Sequence, residues 1–278
     1  MQLSAYKYPA ESGVSASTFL FSHANGFHGR CFDPVIESLV ADYECVSFDL
    51  RGHGDSTVSP DWSVAWQGYG DDALAIAKQI SKPAIAVGHS MGGAALVMAA
   101  LVEPKLFRAL ILYEPIIFPE SFRKIALNRP GASPLVEGAR RRRKTFTSRA
   151  EAFANYASKQ PMSTFDPRAL HAFVDHGFKD VSDQVELKCA PEHEARNFEM
   201  GAIHETWDRL KNLQVPTWVV SGAQQPDQPS GLAPNIAEQI PNSHFVEWQD
   251  SGHFGPMQQP ERLADLVREV DGFASPNT

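Results

Sequence analysis

The chain has 278 residues, 43% of them hydrophobic, and a formal net charge of −8. That length supports one large α/β domain with an insertion and a sizeable core. The acidic balance argues against general nucleic-acid binding, and no apolar stretch approaches a membrane span, so neither a nucleic acid nor a membrane is an expected partner.

In chain order, the first ten residues lack the basic start and long apolar run of a secretory signal. Thr18–His23 and Glu44–Leu50 read as strands, and a helix is predicted over Gly70–Ile80. The apolar run Pro83–Gly88 reads as a buried strand, and the small residues Gly92–Ala100 as a helix. Arg108–Glu114, Pro216–Gly222 and Ser243–Gln249 are further strands. Pro260–Val270 carries apolar residues at helical spacing behind a proline. Strands alternating with helices predict a mainly parallel sheet covered on both faces. Between about Pro115 and Asn212 the alternation stops. No strand is predicted there, and the stretch is rich in charge and aromatics, so it reads as an inserted helical cap, with Lys188–Glu194 as a loop inside it. The predicted organisation is a core of residues 1–114 and 213–278 with a cap of 115–212. Cys31, Cys45 and Cys189 are odd in number and widely spaced, which fits reduced thiols in a cytoplasmic setting and no disulfide framework or zinc site.

The pattern Gly88-His-Ser-Met-Gly92 sits between the buried strand and the small-residue helix. A serine on such a strand–turn–helix corner occupies a strained backbone, and its neighbours must be small so that strand and helix can pass. Its oxygen then lies over a helix N-terminus, where amides favour negative charge.

Four motifs, in order, carry a resemblance to the α/β-hydrolase family that spans nearly all of the chain outside the cap. They are His23-Ala-Asn-Gly-Phe-His-Gly29, Asp49-Leu-Arg-Gly-His-Gly-Asp-Ser56, the Ser90 corner, and Ser251-Gly-His-Phe-Gly-Pro-Met-Gln-Gln-Pro-Glu261. The resemblance implies an α/β-hydrolase fold with Ser90 as nucleophile and His253, after the last strand, as its base. It implies an oxyanion site from the backbone amides of Met91 and Asn25, with Phe27 as an alternative donor or a pocket wall. His23 and His28 then shape the oxyanion loop, and His53 is structural. The third triad member has two candidates. After Pro216–Gly222 the family's usual acid position holds Gln225, and Asp227 follows Pro226. Glu114 ends the strand after the serine corner, where some haloalkane dehalogenases keep their acid. Glu114 is placed first and Asp227 is kept as the alternative.

A serine nucleophile argues against dehalogenase and epoxide-hydrolase chemistry, which leaves acyl transfer to water with no metal or organic cofactor. The aromatic cap points to a small-molecule ester, lactone or thioester with a hydrophobic acyl part. Arg140–Lys144 reads as a solvated helix face, with an anionic substrate as the other possibility. Cys189 near His193 reads as packing rather than as a second nucleophile pair. The competing functions are a ligand-binding, receptor-like protein on the same fold, and an amidase, carbon–carbon hydrolase or perhydrolase using the same residues.

Overall fold

Apolar runs with no polar face must be covered on both sides, and this chain forms the centre of its sheet from such runs. The computed structural model describes residues 1–15, 17–59, 61–128, 133–226 and 228–274, with backbone only over 126–128. The main sheet contains β1 (Ala5–Tyr8), β2 (Thr18–Ser22), β3 (Glu44–Phe48), β4 (Ala84–His89), β5 (Phe107–Tyr113), β9 (Thr217–Gly222) and β10 (Ser243–Trp248). Their order is β1-β3-β2-β4-β5-β9-β10. All neighbours are parallel except β1, which runs antiparallel to β3 at one edge.

The pleat sorts side chains onto two faces. Phe19, Phe21, Ile85, Val87 and Ile111 face one core cluster; Leu20, Ala84, Ala86, Leu110 and Leu112 face the other. The first core is closed by α1 (Asp33–Glu37), α11 (Gly255–Gln258), α12 (Pro260–Ala274) and side chains from residues 146–187. The second is closed by α2 (Gln67–Ala77), α3 (Met91–Val102) and α10 (Pro229–Gln239). Among the described residues no helix is long and apolar enough to cross a membrane.

The predicted strands fall within one or two residues of those observed. The predicted helix at Gly70–Ile80 begins and ends three residues too late, because α2 opens behind Trp66, which makes no side-chain cap. A larger correction concerns the segment between β5 and β9. It holds α4 (Glu120–Asn128), α5 (Pro134–Arg140), α6 (Arg149–Ala157), α7 (Pro167–Gly177), α8 (Pro191–Met200) and α9 (Thr206–Arg209), but also a three-stranded antiparallel sheet. Its strands are β6 (Thr145–Phe146), β7 (Phe178–Val181) and β8 (Gln184–Leu187), in the order β6-β8-β7. A two-residue turn joins β7 to β8, with Ser182 at φ 54°. The segment predicted as a loop at Lys188–Glu194 runs into α8, which Pro191 opens with its fixed φ and missing N–H.

Candidate active site

The parallel strands all end at one edge, and ligands on open α/β sheets bind outside the carboxyl ends, where the strand order reverses. Here the chain steps from β2 out to β3, then crosses back to β4 on the other side. The residues after β2, β4, β5, β9 and β10 therefore converge above that switch point.

Ser90 joins β4 to α3 with φ 55° and ψ −115°, a conformation that costs a non-glycine residue about 1–3 kcal/mol. Backbone bonds hold it there. Its N–H donates to Tyr113 O (2.9 Å), and its carbonyl accepts from Ala94 N (3.2 Å) and Ile116 N (3.2 Å). Gly92 makes the corner sterically possible: a Cβ there would collide with the carbonyl oxygens of Ser22 and His23 at the end of β2. Gly92→Ala is thus expected to lose about 3 kcal/mol or more, since the obstacle is backbone that cannot rotate away. Gly138→Ala, with open space around it in α5, is expected to gain about 0.5–1 kcal/mol. Urea unfolding of the two variants checks both signs.

Glu114, immediately after β5, is a second non-glycine residue with positive φ, at 42°. Its amide donates to Val220 O (2.8 Å). Its carboxylate is fully buried and has two partners: Oε1 accepts from the Gly222 amide (2.8 Å), and Oε2 lies 2.6 Å from His253 Nδ1. That contact assigns the Nδ1 proton to the bond and leaves Nε2 as the free acceptor. Asp227, the other acid candidate, lies outside the described residues.

His253 is held by three further contacts that the sequence did not suggest. His89 Nε2 lies 2.8 Å from the His253 carbonyl oxygen, so the histidine beside Ser90 fixes the loop that carries His253. Tyr113 OH donates to Gly252 O (2.7 Å), and the Gly252 amide donates to Gln258 Oε1 (3.0 Å). The side chain of His253 is 24% exposed and Ser90 is 6% exposed. Among the described residues no hydrogen bond joins Ser90 Oγ to His253. Such contacts are commonly long in free enzymes and tighten on a bound substrate.

Met91 is the first residue of α3, so its N–H is one of the helix's unpaired amides. The Asn25 N–H likewise meets no acceptor among the described residues. Phe27 cannot be the alternative donor, because its N–H donates to Ala24 O (3.1 Å). Its ring instead packs against Phe173 (5.1 Å between centroids), Phe254 (5.6 Å) and Phe165 (6.2 Å). His23 and His28 are buried beside the loop. His23 Nε2 accepts from the Leu50 amide (3.0 Å), and His28 Nε2 lies 3.2 Å from Phe173 O.

The basic run is not one solvated face. Arg142 is half-buried with its guanidinium on Glu194 (2.6 Å) and Tyr156 OH (3.2 Å). Arg140 bonds Glu192 and Glu199, Arg143 lies over the Phe146 ring, and Lys144 pairs with Glu186. The charges are held by partners on neighbouring elements because α5 ends at Arg140 and the chain turns inward. The Cys189 thiol is buried, which pushes its pKa up, and His193 points instead at Arg51 O (3.2 Å). A cleft of about 310 Å³ beside Trp66, Met200 and His204 holds none of the predicted site residues.

Residues 19–266 match the Alpha/beta hydrolase family, and the chain belongs to that family. It is 23% identical over 274 residues to the type I acyl-CoA thioesterase mpaH of Penicillium brevicompactum, which covers 91% of this chain but 60% of that protein. In three dimensions it is similar to the peroxisomal alpha-beta-hydrolase Lpx1 of Saccharomyces cerevisiae, with a TM-score of 0.78 and 17% identity over 99% of this chain and 83% of that one. It is also similar to the thioesterase domain from the curacin biosynthetic pathway, with a TM-score of 0.73 and 19% identity over 96% and 94%.

Proposed function

We propose that this chain is a serine hydrolase that cleaves a carboxylic ester or thioester with an apolar acyl part through an acyl-enzyme. The observation that carries the reading is the buried Glu114 carboxylate bonded to His253 Nδ1 at the same strand edge as the strained Ser90 corner. In this reading Ser90 Oγ attacks the carbonyl carbon and His253 Nε2 takes its proton. Glu114 stays ionised and stabilises the imidazolium. The tetrahedral oxyanion lies against the amides of Met91 and Asn25. Collapse expels the alcohol or thiol with the proton from His253, and water repeats the sequence to release the acid. Residues 115–212 act as a cap over the core, with Phe27, Phe165, Phe173 and Phe254 as the apolar surface facing the acyl chain. Similarity to an acyl-CoA thioesterase and to a thioesterase domain supports including thioesters among the substrates. The proposed setting is cytoplasmic, in keeping with three free, buried cysteines.

A fluorophosphonate probe is expected to label the wild type and to leave Ser90→Ala unlabelled. A panel of p-nitrophenyl esters, lactones and acyl thioesters then ranks the substrates. A wild type that neither labels nor hydrolyses any of them would overturn this reading in favour of a binding protein on the same fold.

A further inference from the structure

The amide of Asn25 can bind an oxyanion only if its loop is held still, and the loop is held from an unexpected place. Asn25 carries its side chain into a buried polar cluster against α8, which comes from the segment between β5 and β9. Its Nδ2 donates to the carbonyl of Glu194 (3.0 Å). Its Oδ1 accepts from Asn197 Nδ2 (2.8 Å), and His53 Nε2 lies 3.2 Å from the same oxygen. Asn197 is fully buried, and its carboxamide is itself oriented: Oδ1 accepts from Tyr69 OH (2.5 Å). The next residue of the loop, Gly26, has φ 77°, and a Cβ there would collide with the Glu194 carboxylate and press on Arg142. The turn and α8 are therefore in direct contact.

A helix that only needed anchoring to the core could use apolar side chains. A buried carboxamide pair gives something different, because each group has fixed donor and acceptor positions and is costly to leave unmatched. The pair pins the Asn25 side chain to α8, and with it the position of the Asn25 Cα in the loop.

We propose that Asn197 is a positioning residue for the oxyanion-binding amide of Asn25, acting through its carboxamide contact with the Asn25 side chain rather than through the docking of α8 as a whole. The proposal rests on the hydrolase reading above. It places the dependence in the transition state: substrate binds as before, and the charge that develops on the carbonyl oxygen is met less well.

The test uses the full chain and p-nitrophenyl butyrate. Asn197→Asp keeps the shape of the side chain but sets an oxygen against Asn25 Oδ1. It is expected to lower kcat by about 10–100-fold with KM within about threefold, a fraction of the 10²–10³ lost when an oxyanion donor is removed outright. Affinity for a trifluoromethyl ketone, whose adduct with Ser90 bears an oxyanion, should fall by the same factor. Tyr69→Phe, which removes only the bond that orients the Asn197 carboxamide, should give a smaller kcat loss of the same kind and serves if the Asn197 variant does not fold. Trp66→Phe removes the Trp66 Nε1 bond to the Asn197 carbonyl (3.2 Å) and so loosens α8 without touching Asn25. It should lower the melting temperature with kcat within twofold. An active wild type whose Asn197→Asp and Tyr69→Phe variants keep kcat and analogue affinity overturns the proposal alone, as does a kcat loss in Trp66→Phe that matches its fall in stability. A wild type that neither labels with fluorophosphonate nor hydrolyses any of the panel overturns the hydrolase reading and this one with it.

Discussion

Glu114→Gln is expected to lower kcat by about 10³–10⁴-fold while KM stays within a few-fold. The argument is about protons rather than shape. The carboxylate accepts twice, from the Gly222 amide and from His253 Nδ1. A glutamine has one acceptor and one donor end, so it cannot replace both contacts. If its oxygen keeps the Gly222 bond, its NH₂ faces His253 and forces the ring into the tautomer with the proton on Nε2. A protonated Nε2 cannot take the proton of Ser90. If the amide flips, its NH₂ meets the Gly222 N–H donor to donor, and the buried strand end is left unsatisfied. The same isosteric change at the acid of another serine triad costs about 10⁴ in kcat, which corresponds to roughly 5.5 kcal/mol of transition-state stabilisation.

Asp227→Asn is the matching control and is expected to change kcat by less than about twofold. Full pre-steady-state and steady-state kinetics on both variants settle the assignment. Retained activity in Glu114→Gln together with its loss in Asp227→Asn would reverse it. Thermal melts should accompany the kinetics, because Glu114 also fixes the end of β9.

How much of this was legible follows from how far each signal extends along the chain. The central strands were readable because each is a short apolar run buried on both faces, which removes any competing pattern, whereas the half-exposed edge strand β1 was not predicted. Ser90, His253 and Glu114 were singled out from local motifs after strand ends, and the structure brings Glu114 and His253 into contact. The small sheet of β6, β7 and β8 was not readable. Its strands have two to four residues, and β7 buries only Phe178. The alternation in Gln184-Val-Glu-Leu187 was present but too short to outweigh the surrounding helical bias. Pro191 was an overlooked helix-start signal. The partnership of Asn25 with Asn197 lay beyond any local signal, because 172 residues separate the two and neither stands in a pattern that names the other. Arg142 was misread for a related reason: a run of like charges looks solvated in one dimension, and only the fold brings Glu194 to it.

The stability of the chain is expected to fall steeply as pH drops from about 6.5 to 4, before most carboxylates titrate. Of ten histidines, seven have their pKa lowered, in each case chiefly by burial, which disfavours the charged ring: His23, His28, His53, His89, His176, His193 and His204. For His28 and His204 burial brings the value down to about 4. The unfolded chain binds protons at these rings below about pH 6.5 while the folded chain refuses them, so stability is complete above that pH and is lost as pH falls toward the folded value. At pH 5 a single ring of this kind costs about 2 kcal/mol, and His28 and His204 together about 4 kcal/mol, against a total stability of about 5–15 kcal/mol for a domain. The others act in the same direction. His204 isolates the effect away from the proposed site. Its Nδ1 bonds Thr206 Oγ1 (2.9 Å) and its Nε2 donates to Ile116 O (2.9 Å), so His204→Asn should be less stable at pH 7. The same variant should then lose about 2 kcal/mol less than the wild type between pH 7 and 5, because one titrating ring is gone. Urea unfolding at the two pH values measures both slopes. A wild-type stability that stays flat over this range would show that the buried rings accept protons in the folded state, and the burial argument would fail with it.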